Sequence, residues 1–338
     1  MTDILPTATE TNRKEKPRRF VVTGASGTLG YNIVRLFASD PDHQLVLPLR
    51  TLHPDLFHRY SNVHMRQADL SDTPELGRIL RDASPDVIIH CAASGVRPRR
   101  EAWFDMVAFN VDATLRLFQA SCAIPECHFI YISTGLAYRH QGRPLRETDP
   151  VESLHPYGVS KAAADLLLQA AAAEFGRTLT ILRPFSFTGL HDGGARLFPS
   201  LLHAALTGEP FRLSPGEQVR DFCAVDDIAS AVLAACQRTD ERELVEIFNV
   251  GSGLSKTIRG VVEEVCKDLA LPVDLQFGAL PYPRNEPMHL VADIGKMSRL
   301  GWGTSSLCMG TRGTLSIWSR CCASLICEQC FTWRDRWP

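Results

Sequence analysis

No run of about 18 apolar residues occurs in the 338-residue chain, so nothing in it reads as a membrane-spanning helix. An excess of one charge is missing too. Lys and Arg number 36 against 38 Asp and Glu, a net charge of −2 that gives no basic surface for a nucleic acid. The N-terminus carries Lys14, Lys16, Arg18 and Arg19 but lacks the apolar core and cleavage site of a secretory signal. Residues 1–18 are therefore expected to form a flexible tail, and the chain to be cytoplasmic. A second CxxC is lacking as well. Cys327 and Cys330 stand near Cys308, Cys321 and Cys322 in a spacing that fits no zinc framework, so no metal is expected. Residues 319–338 read as an atypical Cys-rich tail. The six earlier cysteines (Cys91, Cys122, Cys127, Cys223, Cys236 and Cys266) lie in apolar segments, where thiols act as small hydrophobes.

What is present begins with an apolar run, Arg19–Thr23, that ends in Gly24-Ala25-Ser26-Gly27-Thr28-Leu29-Gly30 and is followed by helical periodicity over Tyr31–Ser39. Glycines at this spacing let backbone approach phosphate and let a helix pack on a strand, so the turn is a seat for a dinucleotide. Short apolar runs recur at Leu45–Leu49, Val87–Cys91, His128–Ile132, Leu179–Leu182 and Glu246–Val250. Between them lie helical stretches at Pro74–Asp82, Glu101–Ala123, Tyr157–Phe175 and Asp226–Cys236. Alternation of this kind predicts an α/β fold: a doubly wound parallel sheet with right-handed crossovers. Past Pro184 the pattern changes. A glycine-rich loop, a helix over Leu197–Leu206, the run Phe211–Leu213 and an amphipathic helix over Thr257–Leu269 suggest a smaller C-terminal lobe. The expected division is 19–185 plus 222–250 for the dinucleotide domain and 186–221 plus 251–318 for a substrate-binding lobe.

Tyr157 and Lys161 are four apart at the start of a predicted helix and so share a face. An ammonium there favours the phenolate, and a phenol so tuned can trade a proton with a carbonyl or alcohol. At the end of the second strand stands Arg50, with no carboxylate between Leu45 and Thr51. A carboxylate there suits the ribose hydroxyl of NAD and an arginine suits a 2′-phosphate, so NADP is favoured over NAD. Asp69 is expected to close the third strand; it either meets the adenine edge or is a solvated turn residue.

The order TGASGTLG, ADL (68–70), HCAA (90–93), NVDAT (110–114), ISTGLAY (132–138), YGVSK (157–161), LRPFSFTG (182–189) and RDFCAVDDIA (220–229) resembles the extended short-chain dehydrogenase/reductase family of nucleotide-sugar epimerases, dehydratases and reductases. The resemblance covers about residues 20–302, with a faint echo to Trp318. It implies a Rossmann sheet, with Tyr157 as general acid/base and Lys161 holding the nicotinamide ribose. Thr134, with Ser133 as fallback, would bind the reacting oxygen, although a strand-end hydroxyl that satisfies a turn also fits Thr134. Ser26, Thr28 and Leu29 within the turn, Leu70 beside Asp69, Cys91, Ala92 and Ala93, and Pro184 fall at cofactor-facing positions, and Asn110 at a position that braces the site. Arg220 matches a residue that grips the substrate's diphosphate, with an ion pair to Asp221 as the alternative. Ser186 replaces an asparagine common in the family, and Arg139 a glycine.

The resemblance also narrows the reaction. Family dehydratases place Asp-Glu after the threonine, where this chain has Gly135-Leu136, which removes 4,6-dehydration; Leu136 likewise removes decarboxylation. The reading with Arg50 is NADPH-dependent reduction of a 4-keto-6-deoxyhexose carried on a nucleotide. The alternatives are a 4-epimerase with tightly held NAD and a non-catalytic dinucleotide-sensing protein. Val107, Leu115, Phe118, Leu166 and Leu167 lie where family members pair into homodimers, and buried core explains them equally.

Overall fold

The computed structural model describes residues 18–95, 103–193, 196–237 and 243–304. The tail 1–17 and the cysteines from Cys308 onward lie outside them. Seven strands form one sheet: β1 (Arg18–Thr23), β2 (His43–Leu49), β3 (Val63–Gln67), β4 (Val87–His90), β5 (His128–Ile132), β6 (Leu179–Pro184) and β7 (Val245–Val250). Their order is β7-β6-β5-β4-β1-β2-β3, and every pairing is parallel. The α-helices among the described residues are α1 (Thr28–Phe37), α2 (Thr73–Ala83), α3 (Trp103–Val107), α4 (Ala113–Ser121), α5 (Pro156–Phe175), α6 (Leu197–Thr207), α7 (Val225–Gln237), α8 (Ile258–Asp268) and the one-turn α9 (Gly295–Ser298).

Strands β4, β5 and β6 are buried along their whole length, because helices cover both faces and leave no polar side to alternate. Successive residues still point to opposite layers. Phe20 and Val22 of β1 pack with Ile33, Val34 and Phe37 of α1 and Ile228 and Val232 of α7. Val21 between them packs with Ile79 of α2, Leu117 of α4 and Leu168 of α5. The edge strand β3 was the one the apolar runs did not reveal. His64, Arg66 and Gln67 are exposed on it, so only Val63 and Met65 face inward.

One expectation is corrected, and one reading left open is decided. The long helix expected over 101–123 is broken in its described part: between α3 and α4 runs a π turn, Ala108–Asp112, that turns Asn110 fully inward. Such insertions recur where a helix serves a site. Phe118 is core, 1% exposed and edge-to-face with Phe129 at 5.2 Å, so it belongs to no interface. Val107, Leu166 and Leu167 are exposed, beside Trp103 and Phe104, while Leu115 is half-buried.

A third apolar cluster stands apart from the sheet. It joins Phe198, Leu201 and Leu202 of α6, Val261, Val262 and Val265 of α8, and Phe211, Leu213 and Phe222. Small sheets tie it together: Phe211–Leu213 pairs with Leu275–Phe277, and Val219–Arg220 lies between Lys256–Thr257 and His289–Leu290.

Candidate active site

The glycine turn closes β1 at the point where the sheet order reverses, between β1 and β4, and a crevice opens there above the strand ends. Gly24 takes φ +71°, and a Cβ on it would stand 2.5 Å from the Ala92 nitrogen. A Cβ on Gly30 would stand 2.2 Å from the Gly24 carbonyl oxygen. Only glycine therefore allows the turn to pass the end of β4 with α1 packed upon it. The N-cap of α1, Gly27, offers no side chain to the first-turn amides, which leaves those donors for an anion.

A cavity of about 730 Å³ runs from this turn to the third cluster. Of the residues expected in a site, Gly24, Gly27, Thr28, Leu29, Gly30, Cys91, Ala93, Ser133, Thr134, Tyr157, Pro184, Ser186 and Arg220 line it. Lys161, Asn110 and Ala92 are buried outside its lining. Asn110 accepts from the Ser94 amide at 2.8 Å and donates to the Ser94 carbonyl (2.8 Å) and Ser160 Oγ (2.9 Å), which fixes α5 against the loop after β4. Ser26, Arg50, Asp69 and Leu70 are also outside the lining. Leu70 is core, and Arg50 and Asp69 are exposed at the sheet's edge. Asp69 follows the end of β3 by two residues and accepts from Ser71 N at 2.8 Å and Ser71 Oγ at 2.6 Å. Ser71, and more weakly Arg50, hold its carboxyl below the usual range.

Helix α5 begins with Pro156, whose fixed φ suits a first turn, and presents Tyr157 to the cavity. Gly158 has to be glycine, because a Cβ there would meet Leu136 O at 2.3 Å. Thr134 caps the short 3-10 turn Gly135–Ala137, and its Oγ1 accepts from Leu136 N at 3.2 Å. The turn-satisfying reading of Thr134 therefore holds, and the residue also lines the cavity. Ser133 is 3% exposed.

The expected pull of Lys161 on Tyr157 is not what sets the phenol. Burial pushes Tyr157 up to about 12, and the cation that opposes this is Arg196. The Lys161 Nζ is 4.1 Å from the centroid of the Tyr131 ring, has no hydrogen-bond partner, and is 1% exposed. Burial brings it down to about 8, against the raising effects of Asp165 and then Cys91. A buried ammonium with unused donors fits the hydroxyls of a nicotinamide ribose.

Arg220 is corrected in its partner. Asp221 is fully buried and accepts from Ser252 N (2.7 Å), Ser252 Oγ, Gly253 N and Ala292 N, with nothing left for Arg220. Arg220 pairs with Glu286, which reaches the cavity from 66 residues away and which no pattern in the sequence singled out. Arg196 was missed as well. It opens α6, donates to Asp192 Oδ1 at 2.8 Å and lines the cavity beside Tyr157. Its signal was there to read: an arginine at the entry to a predicted helix after a glycine-rich loop. Arg139 points outward to Glu152 at 3.2 Å.

Among the described residues no group of three His, Cys, Asp or Glu could hold a metal, and no helix is long and apolar enough to cross a membrane. Residues 20–251 match the NAD dependent epimerase/dehydratase family. A UDP-glucose 4-epimerase of Lactobacillus helveticus is 25% identical over 84% of this chain and 91% of its own. A dTDP-glucose 4,6-dehydratase of Neisseria meningitidis is 26% identical over 84% and 88%. Among solved structures, UDP-glucuronic acid 4-epimerase of Bacillus cereus, in complex with UDP-glucuronic acid and NAD, superposes with a TM-score of 0.79 at 25% identity, covering 90% of this chain and 96% of that one. With more than half its length matched, on a seven-stranded parallel sheet that closes over a glycine turn, the chain belongs to the NAD dependent epimerase/dehydratase family.

Proposed function

We propose that the chain inverts the C4 carbon of a nucleoside-diphosphate sugar and keeps one NAD in place through the cycle. The observation that carries this reading is the loop Gly189–Gly193, which is fastened onto the glycine turn. Thr28 Oγ1 donates to the His191 carbonyl at 3.1 Å, Asn32 Nδ2 donates to the Leu190 carbonyl at 2.7 Å, and His191 Nε2 donates to the Ser26 carbonyl at 3.1 Å. The His191 ring is also stacked on Tyr31 with centroids 4.4 Å apart. A dinucleotide seated on the turn would lie against these contacts. An epimerase gains from such retention, because the same cofactor must restore what it removed, whereas a reductase has to exchange it every turnover. Arg50 is no longer a strong argument for NADP. The carboxylate of Asp69 lies close enough to feel its charge, so a 2′-phosphate would meet both signs.

Gly24 to Gly30, Cys91 to Ala93, Pro184 and Lys161 would hold the dinucleotide, which supplies hydride acceptance and return at C4. Tyr157 Oη takes the proton of the C4 hydroxyl and later gives it back on the other epimer. The Thr134 hydroxyl donates to the C4 oxygen while that oxygen carries charge. Lys161, once bonded to the ribose, places a positive charge behind the phenol and favours its ionised form. Arg220 and Arg196 offer guanidinium groups to the diphosphate, and Ser186 a hydroxyl. Residues 186–221 with 251–304 act as the lobe that grips the sugar nucleotide. Gly135 and Leu136 bring no carboxylate to the sugar, which leaves elimination of water without its acid and base.

The test is a purified chain, denatured and assayed for released nucleotide. About one NAD per chain, with interconversion of UDP-glucose and UDP-galactose or their uronate counterparts without added cofactor, is the expected result. His191→Asn tolerates the left-handed backbone (φ +60°) but loses the stack. It should release NAD roughly tenfold faster, the equivalent of about 1.4 kcal/mol. Bare protein that oxidises NADPH stoichiometrically with a 4-keto sugar nucleotide would replace this reading with the reductase one.

The exposed apolar side chains Trp103, Phe104 and Val107 of α3 and Leu166 and Leu167 of α5 support pairing of two copies through these helices. Light scattering should give twice the chain mass, and Leu166→Lys should return a monomer.

A further inference from the structure

One turn beyond Lys161 on α5 stands Asp165, 0% exposed. Neither helix propensity nor packing calls for an aspartate in the buried middle of a 20-residue helix. It is kept there by Arg183 near the end of β6, which is 1% exposed and whose Nε lies 2.9 Å from Asp165 Oδ2. Arg183 is itself fixed: Nη1 donates to Tyr138 Oη at 2.8 Å, and that hydroxyl donates to Asn249 Oδ1 at 2.6 Å. A buried ion pair tied into neighbouring strands is a rigid charge, and replacing such pairs with apolar residues seldom costs stability. Its place in the fold therefore asks for another reason.

The reason lies in what surrounds Lys161. From the end of β4 comes His90 and from the residue after it Cys91, from β5 Tyr131, and from its own helix Tyr157 and Asp165. Burial brings His90 down to about 3 and pushes Cys91 up to about 12, Tyr157 to about 12 and Tyr131 well above its ordinary value. These four are neutral at working pH. Asp165 is the one carboxylate of this set, in ion-pair contact with Arg183 at 2.9 Å, and Arg183 is the largest influence opposing the burial that pushes its carboxyl up.

We propose that Asp165, anchored by Arg183, is a positioning residue that sets the protonation of the Lys161–Tyr157 pair from behind without touching substrate. This deepens the function proposed above and rests on it. Against the burial that brings Lys161 down, a carboxylate one turn away helps its ammonium keep its proton. The phenol of Tyr157 is held protonated first by burial, with Arg196 at the entry to α6 opposing, and the same carboxylate adds to that hold until cofactor and substrate are in place. Removing that charge, and leaving Arg183 unpaired, moves both titrations in one direction, toward acid.

The experiment uses the holoenzyme and three variants, Asp165→Asn, Asp165→Glu and the doubly neutral Asp165→Asn/Arg183→Gln, which has no stranded charge and folds if the single variant does not. The pH profile of kcat/KM is recorded for each. Asp165→Asn should move both limbs to lower pH by about one unit, which is a tenfold loss at the alkaline end, with KM for the sugar nucleotide within about twofold. Asp165→Glu should restore the wild-type position, and the double variant should shift in the same direction by less. In parallel, phenolate absorbance is titrated with Tyr157→Phe as the blank, which reads Tyr157 directly without turnover. A profile lowered equally at every pH with unmoved limbs, and an unmoved phenolate titration, would overturn the proposal. A wild type without epimerase activity but with an acid-shifted phenolate in Asp165→Asn would overturn the proposed reaction and leave Asp165 in its role.

Discussion

Tyr157→Phe is expected to lower kcat by a factor of about 10²–10⁴ while the chain still purifies with its NAD. Phenylalanine fills the same space at a position 8% exposed, so packing on α5 and the neighbouring turn at Leu136 is retained. What disappears is one oxygen at the cavity wall. Because burial holds that phenol at about 12, the free site is not itself a ready base. On the proposed mechanism the proton would leave only when the positive charge of Lys161 and the dinucleotide are both in place, so the cost of the substitution should fall on kcat rather than on KM. On the proposed mechanism the hydroxyl of Thr134, which lines the same cavity, would still meet the substrate oxygen in the variant and leave a residue of activity above the uncatalysed rate. Measured by conversion of UDP-glucose under saturating substrate, with NAD content checked on the same preparation, retained turnover would remove Tyr157 from the chemistry. Loss of NAD together with turnover would mean that the ring was holding the cofactor instead.

The parts of this molecule that could be read from the chain are those whose physics is local. A turn with Gly24, Gly27 and Gly30 needs only neighbouring residues to declare itself, and the same holds for Tyr157 and Lys161 on one helix. Runs such as Val87–Cys91 and His128–Ile132 located strands along the chain because strands covered on both faces have no polar alternation to hide them. Strand β3 could be placed only by its end near Asp69, and no apolar run marked it, because it is an edge and half of it is polar. The π turn at Asn110 escaped because the segment has unbroken helical periodicity. Its cause is distant, a hydrogen-bond set to Ser94 and Ser160. Glu286 and the His191 fastening are likewise products of tertiary approach, across 66 and 165 residues of chain. The charge state of Tyr157 was misjudged for a related reason. Sequence spacing gives the neighbour at i+4 but not the burial, and here burial outweighs it.

Arg183→Met is expected to be the most damaging single substitution for stability, costing about 3–5 kcal/mol. Methionine replaces most of the aliphatic stem, yet it leaves Asp165 at 0% exposure with its ion-pair partner gone, and it removes the donor to Tyr138 Oη. For a chain of this size that is a fall in Tm of roughly 10 °C. The sign of its pH dependence separates charge from cavity. Burial already pushes the Asp165 carboxyl up, and Arg183 is the largest influence opposing this. Without Arg183 the folded-state value rises further above the unfolded one. A carboxyl raised in the folded state adds stability below its unfolded value and loses it as pH climbs through the folded one. The deficit of Arg183→Met should therefore be smaller near pH 5 than near pH 8, by thermal or denaturant unfolding at both. The pair Asp165→Leu/Arg183→Met should recover most of the loss, since neither charge is then stranded, and should do so about equally at the two pH values. A single-variant deficit that is the same at both would assign the cost to lost packing over the Tyr138 ring, which the guanidinium covers at 4.7 Å, and not to the abandoned carboxylate.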